Sequence, residues 1–266
     1  MGCYFSCFTT DSRDVSDTET FPDMYSDIHL IHKGSRRRVY RCTSGGKILC
    51  CKVIPILSLS WRCEYSLMLY ITDNKLPSPK FTNIVKKKNF IYMFYEYIEG
   101  IDMFEYLEKN KFFNEKYASN IIRNLISILL KYHEKYIWHL DIKPENILCK
   151  NGDINNLCLI DFGQSVICRE DILTNVKSLG TQRYAAPELS YGICSAKTDV
   201  WSIGVIAYIL YMQSYPSLSL SQRKKSILKA EGSYLFVDFI KKCLEYSMIR
   251  RISLKELLVH PWISNI

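Results

Sequence analysis

The chain has 266 residues, 48% of them apolar and 23% charged, with a formal net charge of +8. That balance excludes wholesale disorder and leaves enough apolar side chain for one large domain or two closely packed lobes. The basic runs Arg36-Arg37-Arg38, Lys86-Lys87-Lys88 and Arg223-Lys224-Lys225 are short and suit a solvated surface, so no nucleic-acid partner is expected.

In chain order, residues 1–24 read as a flexible leader, because positions 8–24 are polar, acidic and rich in Ser, Thr and Asp. Packing is expected from about Ile28. Val39 to Cys42 and Lys47 to Ile54 are β-prone runs joined across Ser44-Gly45-Gly46, a hairpin signal. Leu57 to Ile71 repeats apolar residues at helical spacing. A second hairpin follows, Asn83 to Lys87 and Phe90 to Tyr97, turning at Lys88-Asn89. After Gly100 the period changes: Asn114 is a candidate N-cap, and Ala118, Ile122, Leu125, Leu129 and Tyr132 mark one face of a long helix. Short β-prone stretches flank Lys150 to Asn156, and helical patterns resume from Asp199. The class expected is α+β, a small β-rich lobe at about 25–96 followed by a larger helical lobe at about 97–266. The apolar stretch from Ile203 to Met212 is too short to span a bilayer. The 11 cysteines are irregularly spaced and follow no secretory segment, which points to free thiols in a reducing, cytoplasmic compartment.

Three strings then appear in order: His139-Leu140-Asp141-Ile142-Lys143-Pro144-Glu145-Asn146, Asp161-Phe162-Gly163, and Gly180 to Glu188, which ends in Ala186-Pro187-Glu188. In this order and spacing the chain resembles the eukaryotic-type protein kinase family, serine/threonine class, from about Ile28 to the C-terminus. Its ending, from Arg250 to Ile263, resembles the calcium/calmodulin-dependent kinase group.

The resemblance implies ATP and Mg2+ as cofactors and protein hydroxyls as acceptors. Asp141 would orient the hydroxyl and accept its proton, Lys143 would reach the γ-phosphate, and Asn146 and Asp161 would hold the metal. Lys52, closing the run Ile48 to Lys52, matches the strand lysine for the α- and β-phosphates. Glu64 would be its ion-pair partner, although the interval between them is shorter than most kinases show. Glu96 and Ile98 fall in the adenine-reading hinge, with Tyr95 behind it, and Gly34 and Val39 in the phosphate-covering loop. Asp102 stands where an acid meets the ribose, or equally where an acid favours a helix N-terminus. Structural roles fall to His139, Phe162 and Met68 as an apolar stack, Gly163 within the Asp161-Phe162-Gly163 turn, Asp199 as a cap on the catalytic loop, and Glu188 paired with Arg251.

Some positions depart from the family pattern. Only Gly34 survives of the loop glycines, with His32 and Arg37 in place of the outer two, which hinders close approach of backbone N–H groups to phosphate. This supports the alternative of a pseudokinase scaffold with weak or no catalysis. Leu140 replaces an arginine that in the family pairs with an activation-loop phosphate. Asp102 and Glu145 suggest protein substrates with basic residues N-terminal to the acceptor. At the start, Met1-Gly2-Cys3-Tyr4-Phe5-Ser6-Cys7 fits the N-myristoylation pattern, with Cys3 and Cys7 as palmitoylation candidates. A peripheral membrane anchor on the cytoplasmic face is the corresponding expectation.

Overall fold

Alternating side chains and two tight turns build the first part of the chain. The computed structural model describes residues 20–34, 37–58, 60–110, 113–177, 180–217 and 232–264. These fall into two compact units, one ending at Glu99 and the other beginning at Gly100. Gly2, Cys3 and Cys7 lie outside the described residues.

In the first unit five antiparallel strands run in the order β1-β2-β3-β5-β4. They are β1 (Ser26–Lys33), β2 (Arg38–Ser44), β3 (Lys47–Pro55), β4 (Phe81–Lys87) and β5 (Phe90–Glu96). The first hairpin forms where the sequence predicts: Ser44 pairs with Lys47, and Gly45 and Gly46 take φ of 55° and 73°. A two-residue turn with both central residues left-handed matches the twist of its strands, and glycine adopts it without a Cβ penalty. Between β3 and β4, α1 (Ser60–Asp73) buries Glu64, Leu67, Met68 and Ile71, which is one helical face.

Packing starts earlier than Ile28. Tyr25 stacks on Phe94 with centroids 3.9 Å apart, and Phe21 meets Tyr40 and Tyr92 edge-on. Lys87 donates to the Phe21 carbonyl at 2.8 Å, and the Tyr92 hydroxyl to the Thr20 carbonyl at 2.9 Å. Tyr25 thereby completes an apolar cluster with Cys42, Cys51, Val53, Phe90, Tyr92 and Phe94. Residues 20–24, read from composition as part of the leader, strap this face of the sheet.

The second unit is mainly helical: α2 (Met103–Lys109), α3 (Glu115–His133), α4 (Ala196–Met212), α5 (Tyr234–Cys243), α6 (Leu254–Leu258) and α7 (Pro261–Ser264). Asn114 caps α3, its Oδ1 accepting the Tyr117 N–H at 2.8 Å. Ala118, Ile122, Leu125, Leu129 and Tyr132 are all buried, as their spacing requires. Helix α4 begins before the expected Asp199 because Ser195 and Thr198 form a capping box. It is buried almost all round, and Gly204 lets α5 come close, since a Cβ there would fall 2.5 Å from the Cys243 Cβ. Short strands position the loops: β6 (Gly100–Asp102), β8 (Ile147–Lys150) and β9 (Leu157–Leu159) form one sheet. β7 (Ile137–Trp138) pairs with β10 (Val166–Ile167), and β11 (Leu173–Thr174) with β12 (Ile193–Cys194).

Among the described residues no helix is long and apolar enough to cross a membrane, and no cysteine forms a disulfide. Burial pushes the Cys42 thiol up to about 11 and Cys149 up to about 12, as for thiols serving as small core residues.

Candidate active site

On β3 successive side chains point to opposite faces. Cys51 and Val53 therefore join the Tyr25 cluster, while Lys52 turns the other way. There its ammonium pairs with the Glu64 carboxylate of α1, and both residues are buried. Val39 of β2 stands opposite Lys52 in the ladder. Glu64 is thus where the sequence predicts the partner, and the short interval arises because α1 starts only at Ser60. Removing either charge alone would strand the other out of water, a loss of about 3–5 kcal/mol.

In the second unit the loop after β7 is held around Asp141. Its Oδ1 accepts the Thr181 N–H at 2.9 Å and the Thr181 hydroxyl at 2.8 Å. Its Oδ2 accepts the Asn146 side-chain amide at 3.0 Å and lies 3.3 Å from Lys143 Nζ. Lys143 in turn donates to Thr181 Oγ1 at 2.7 Å. A carboxylate engaged on both oxygens is fixed in one orientation. The turn at Pro144–Asn146 folds Asn146 back, so that its amide also donates to the Asp141 carbonyl at 2.8 Å. The Ile160 N–H donates to the Asn146 carbonyl at 3.0 Å, which brings Asp161 beside it. Asp161 has a left-handed φ of 60° and accepts the Gly163 N–H at 3.2 Å. His139 and Phe162 meet with ring centroids 5.0 Å apart, and Tyr132 lies on the other ring at 5.4 Å. Met68 is buried within the first unit.

Two further expectations concern support. Asp199, fully buried on α4, accepts the backbone N–H groups of His139 at 2.9 Å and Leu140 at 2.8 Å. Glu188 and Arg251 form a two-pronged pair at 2.6 and 2.8 Å, and Arg251 also donates to the carbonyls of Glu245 and Lys197. The guanidinium lies 5.0 Å from the Trp201 ring centre.

The donor set fits magnesium. Asn146 spends its amide nitrogen on Asp141, so the atom it would offer a cation is its oxygen, and Asp161 would add a carboxylate oxygen. Hard oxygen donors in small number, completed by phosphate and water, are what magnesium takes.

A model of the protein kinase domain matches residues 25–263. The chain belongs to the protein kinase family. Among curated relatives, myosin light chain kinase family member 4 from Homo sapiens is 30% identical over 261 residues, 90% of this chain and 66% of that protein. Calcium-dependent protein kinase 6 from Plasmodium berghei is 30% identical over 75% of this chain and 14% of its own length. A calcium/calmodulin-dependent serine/threonine-protein kinase from Malus domestica is 29% identical over 80% of this chain and 55% of its own length. The chain therefore spans only part of the length of these relatives.

The remaining kinase-type positions are less uniform. The Glu96 N–H donates to the Lys80 carbonyl at 2.9 Å, so that amide is engaged within its own unit, and Ile98 follows the end of β5. Tyr95 is buried on β5. Gly34 follows β1 and its N–H donates to the Arg37 carbonyl at 2.9 Å. Asp102 is the N-cap of α2, accepting the Glu105 N–H at 2.8 Å, so the helix-end alternative is what the backbone displays. Thr181 carries a role the sequence reading did not assign. Its place directly after Gly180 was the available signal, but only the fold reveals that it closes on Asp141.

Proposed function

We propose that the chain is an active serine/threonine protein kinase that moves the γ-phosphoryl of ATP onto protein hydroxyls. The observation that supports this best is the Asp141 carboxylate, immobilised by Thr181, Asn146 and Lys143. Phosphoryl transfer needs little covalent help from protein, and positioning together with charge supplies most of the acceleration. Magnesium, when bound, neutralises charge on the phosphate oxygens. Asn146 and Asp161 hold it, while Lys52, aligned by Glu64, binds the α- and β-phosphates. Asp141 orients the acceptor hydroxyl and takes its proton, and Lys143 neutralises the group in transit. Gly34 and Val39 cover the nucleotide, and the backbone of Glu96 and Ile98 reads adenine. Serine and threonine are favoured over tyrosine by Lys143 in its Asp-Ile-Lys-Pro-Glu-Asn setting and by the Gly180–Glu188 run. The similarity to the calcium/calmodulin-dependent serine/threonine-protein kinase from Malus domestica supports that choice.

The test is Asp141→Asn, which keeps the shape and removes the base. Transfer should fall by about 10²-fold or more at an unchanged unfolding temperature, and Lys52→Met should lose transfer in the same assay. Variants as fast as the parent chain would overturn these roles. A second reading, a scaffold without catalysis, draws on His32 and Arg37 in the glycine positions. Absence of both transfer and magnesium-dependent ATP binding in the parent chain would favour it. For location, the reading is a cytoplasmic kinase held at membranes through acylation at Gly2, with Cys3 and Cys7 as second anchors.

A further inference from the structure

The loop between β1 and β2 keeps one glycine of the family pattern, and its backbone has little left to offer a phosphate. The Gly34 N–H donates to the Arg37 carbonyl at 2.9 Å, so the loop closes on itself through that amide. A donor for phosphate at this end of the hairpin has to come from a side chain.

Strand register shows which side chain faces the right way. Residues directly opposite in an antiparallel ladder share a face of the sheet. His32 of β1 pairs with Val39 of β2, and Val39 pairs with Lys52 of β3. The three side chains therefore stand in one rank, on the face where Lys52 meets Glu64. The next rank, Lys33, Arg38 and Val53, belongs to the opposite face, since Val53 lies in the Tyr25 cluster. Of the paired basic residues flanking Gly34, His32 is thus the one on the side of Lys52. Two strand spacings separate their backbones, about 10 Å, a gap that a chain of phosphates held at Lys52 can bridge.

His32 is exposed, and its Nε2 lies 3.6 Å from the point that a Cβ on Gly34 would occupy. The imidazole therefore stands beside the one loop residue that leaves room for close approach. An imidazole keeps at least one N–H in either charge state, so a donor is always present.

We propose that His32 is a nucleotide-binding residue that donates to the triphosphate of ATP, a side-chain N–H taking over where the family relies on a glycine backbone. This role rests on the kinase reading above, and it turns the departure at position 32 from a hindrance into a contact. His32→Leu removes the donor. His32→Gln returns an N–H without the ring.

Calorimetric titration of the full chain and both variants, with ATP and with adenosine in the presence of magnesium, tests it. In His32→Leu the dissociation constant for ATP should rise about tenfold or more, as for losing a hydrogen bond to a charged group. His32→Gln should stay within about threefold of the parent chain. Adenosine, which has no phosphate, should bind all three alike, and unfolding temperatures should agree because the ring is exposed. In the nitrogen-labelled parent chain, the imidazole signal that disappears in His32→Gln should shift on adding ATP with magnesium and stay in place with adenosine. A leucine variant that binds ATP as tightly as the parent, an equal loss for adenosine, a glutamine variant as weak as the leucine variant, or an unmoved imidazole signal would overturn the proposal while leaving the kinase reading intact. A parent chain that binds no ATP would overturn both.

Discussion

Leu140 stands where the protein kinase pattern has an arginine, and its surroundings show what replaces the missing charge. It is buried in an apolar cluster with Trp138, Val166, Cys168, Val176, Leu189 and Cys194. The segment between Asp161 and Glu188 is thus tied down by burial of its own residues. It is also tied by pairing of Thr174 with Ile193 and by the Val176 N–H donating to the Gly192 carbonyl at 2.9 Å. Arg169 and Arg183, the two arginines of that segment, which could otherwise dock a phosphate, lie over the rings of Tyr136 and Tyr215. Phosphatase treatment, or Thr174→Ala, should therefore leave the transfer rate within about twofold. A tenfold loss, about 1.4 kcal/mol of transition-state stabilisation, would contradict this. Ser178, a further hydroxyl of that segment, lies outside the described residues. The sequence makes the absence of charge at position 140 plain. It could not reveal the replacement, because the cluster gathers side chains spread from Trp138 to Cys194 that share no local period.

Elements with a strong local signal were legible. Helix α3 declares itself through Asn114 and a buried stripe, and the Gly45-Gly46 turn sets its own hairpin register. Residues 20–25 were not, because their aromatic anchors find partners only across the sheet, at Tyr40, Tyr92 and Phe94. At this scale His260 gives a pH test. It precedes α7 and is buried, accepting the Trp262 N–H on Nδ1 at 3.2 Å and lying 3.0 Å from Asp238 through Nε2. Lys242 pairs with the same carboxylate at 2.7 Å. A ring that accepts on Nδ1 has to be neutral. Burial lowers its pKa below the ordinary 6.5, opposed by Asp238 and reinforced by Lys242. Lowering in the folded state means that the unfolded chain takes the proton first as pH falls. This contribution is therefore present above pH 6.5 and is lost progressively below it. Unfolding temperatures measured from pH 7.5 to 5 should decline for the parent chain, and the decline should flatten in His260→Asn. Equal slopes would remove His260 as the cause.

For the whole molecule, the two-unit division and the catalytic motifs could be read from the sequence because the motifs keep fixed order and spacing. Glu188 and Arg251 are far apart in the chain, and no local pattern links them. Their pairing was legible only through the family resemblance, and the geometry bears it out. The acylation reading belongs at this scale too: expressed in eukaryotic cells, the parent chain should partition partly with membranes and Gly2→Ala should not. Equal partitioning would end that reading.

The central claim is catalysis of phosphoryl transfer to serine or threonine, and labelling from γ-labelled ATP with phosphoamino-acid analysis tests it most directly. With magnesium, the purified chain should place label on serine or threonine of protein substrates, and a chelator should abolish the signal. No incorporation under any condition, or label confined to tyrosine, would contradict the account.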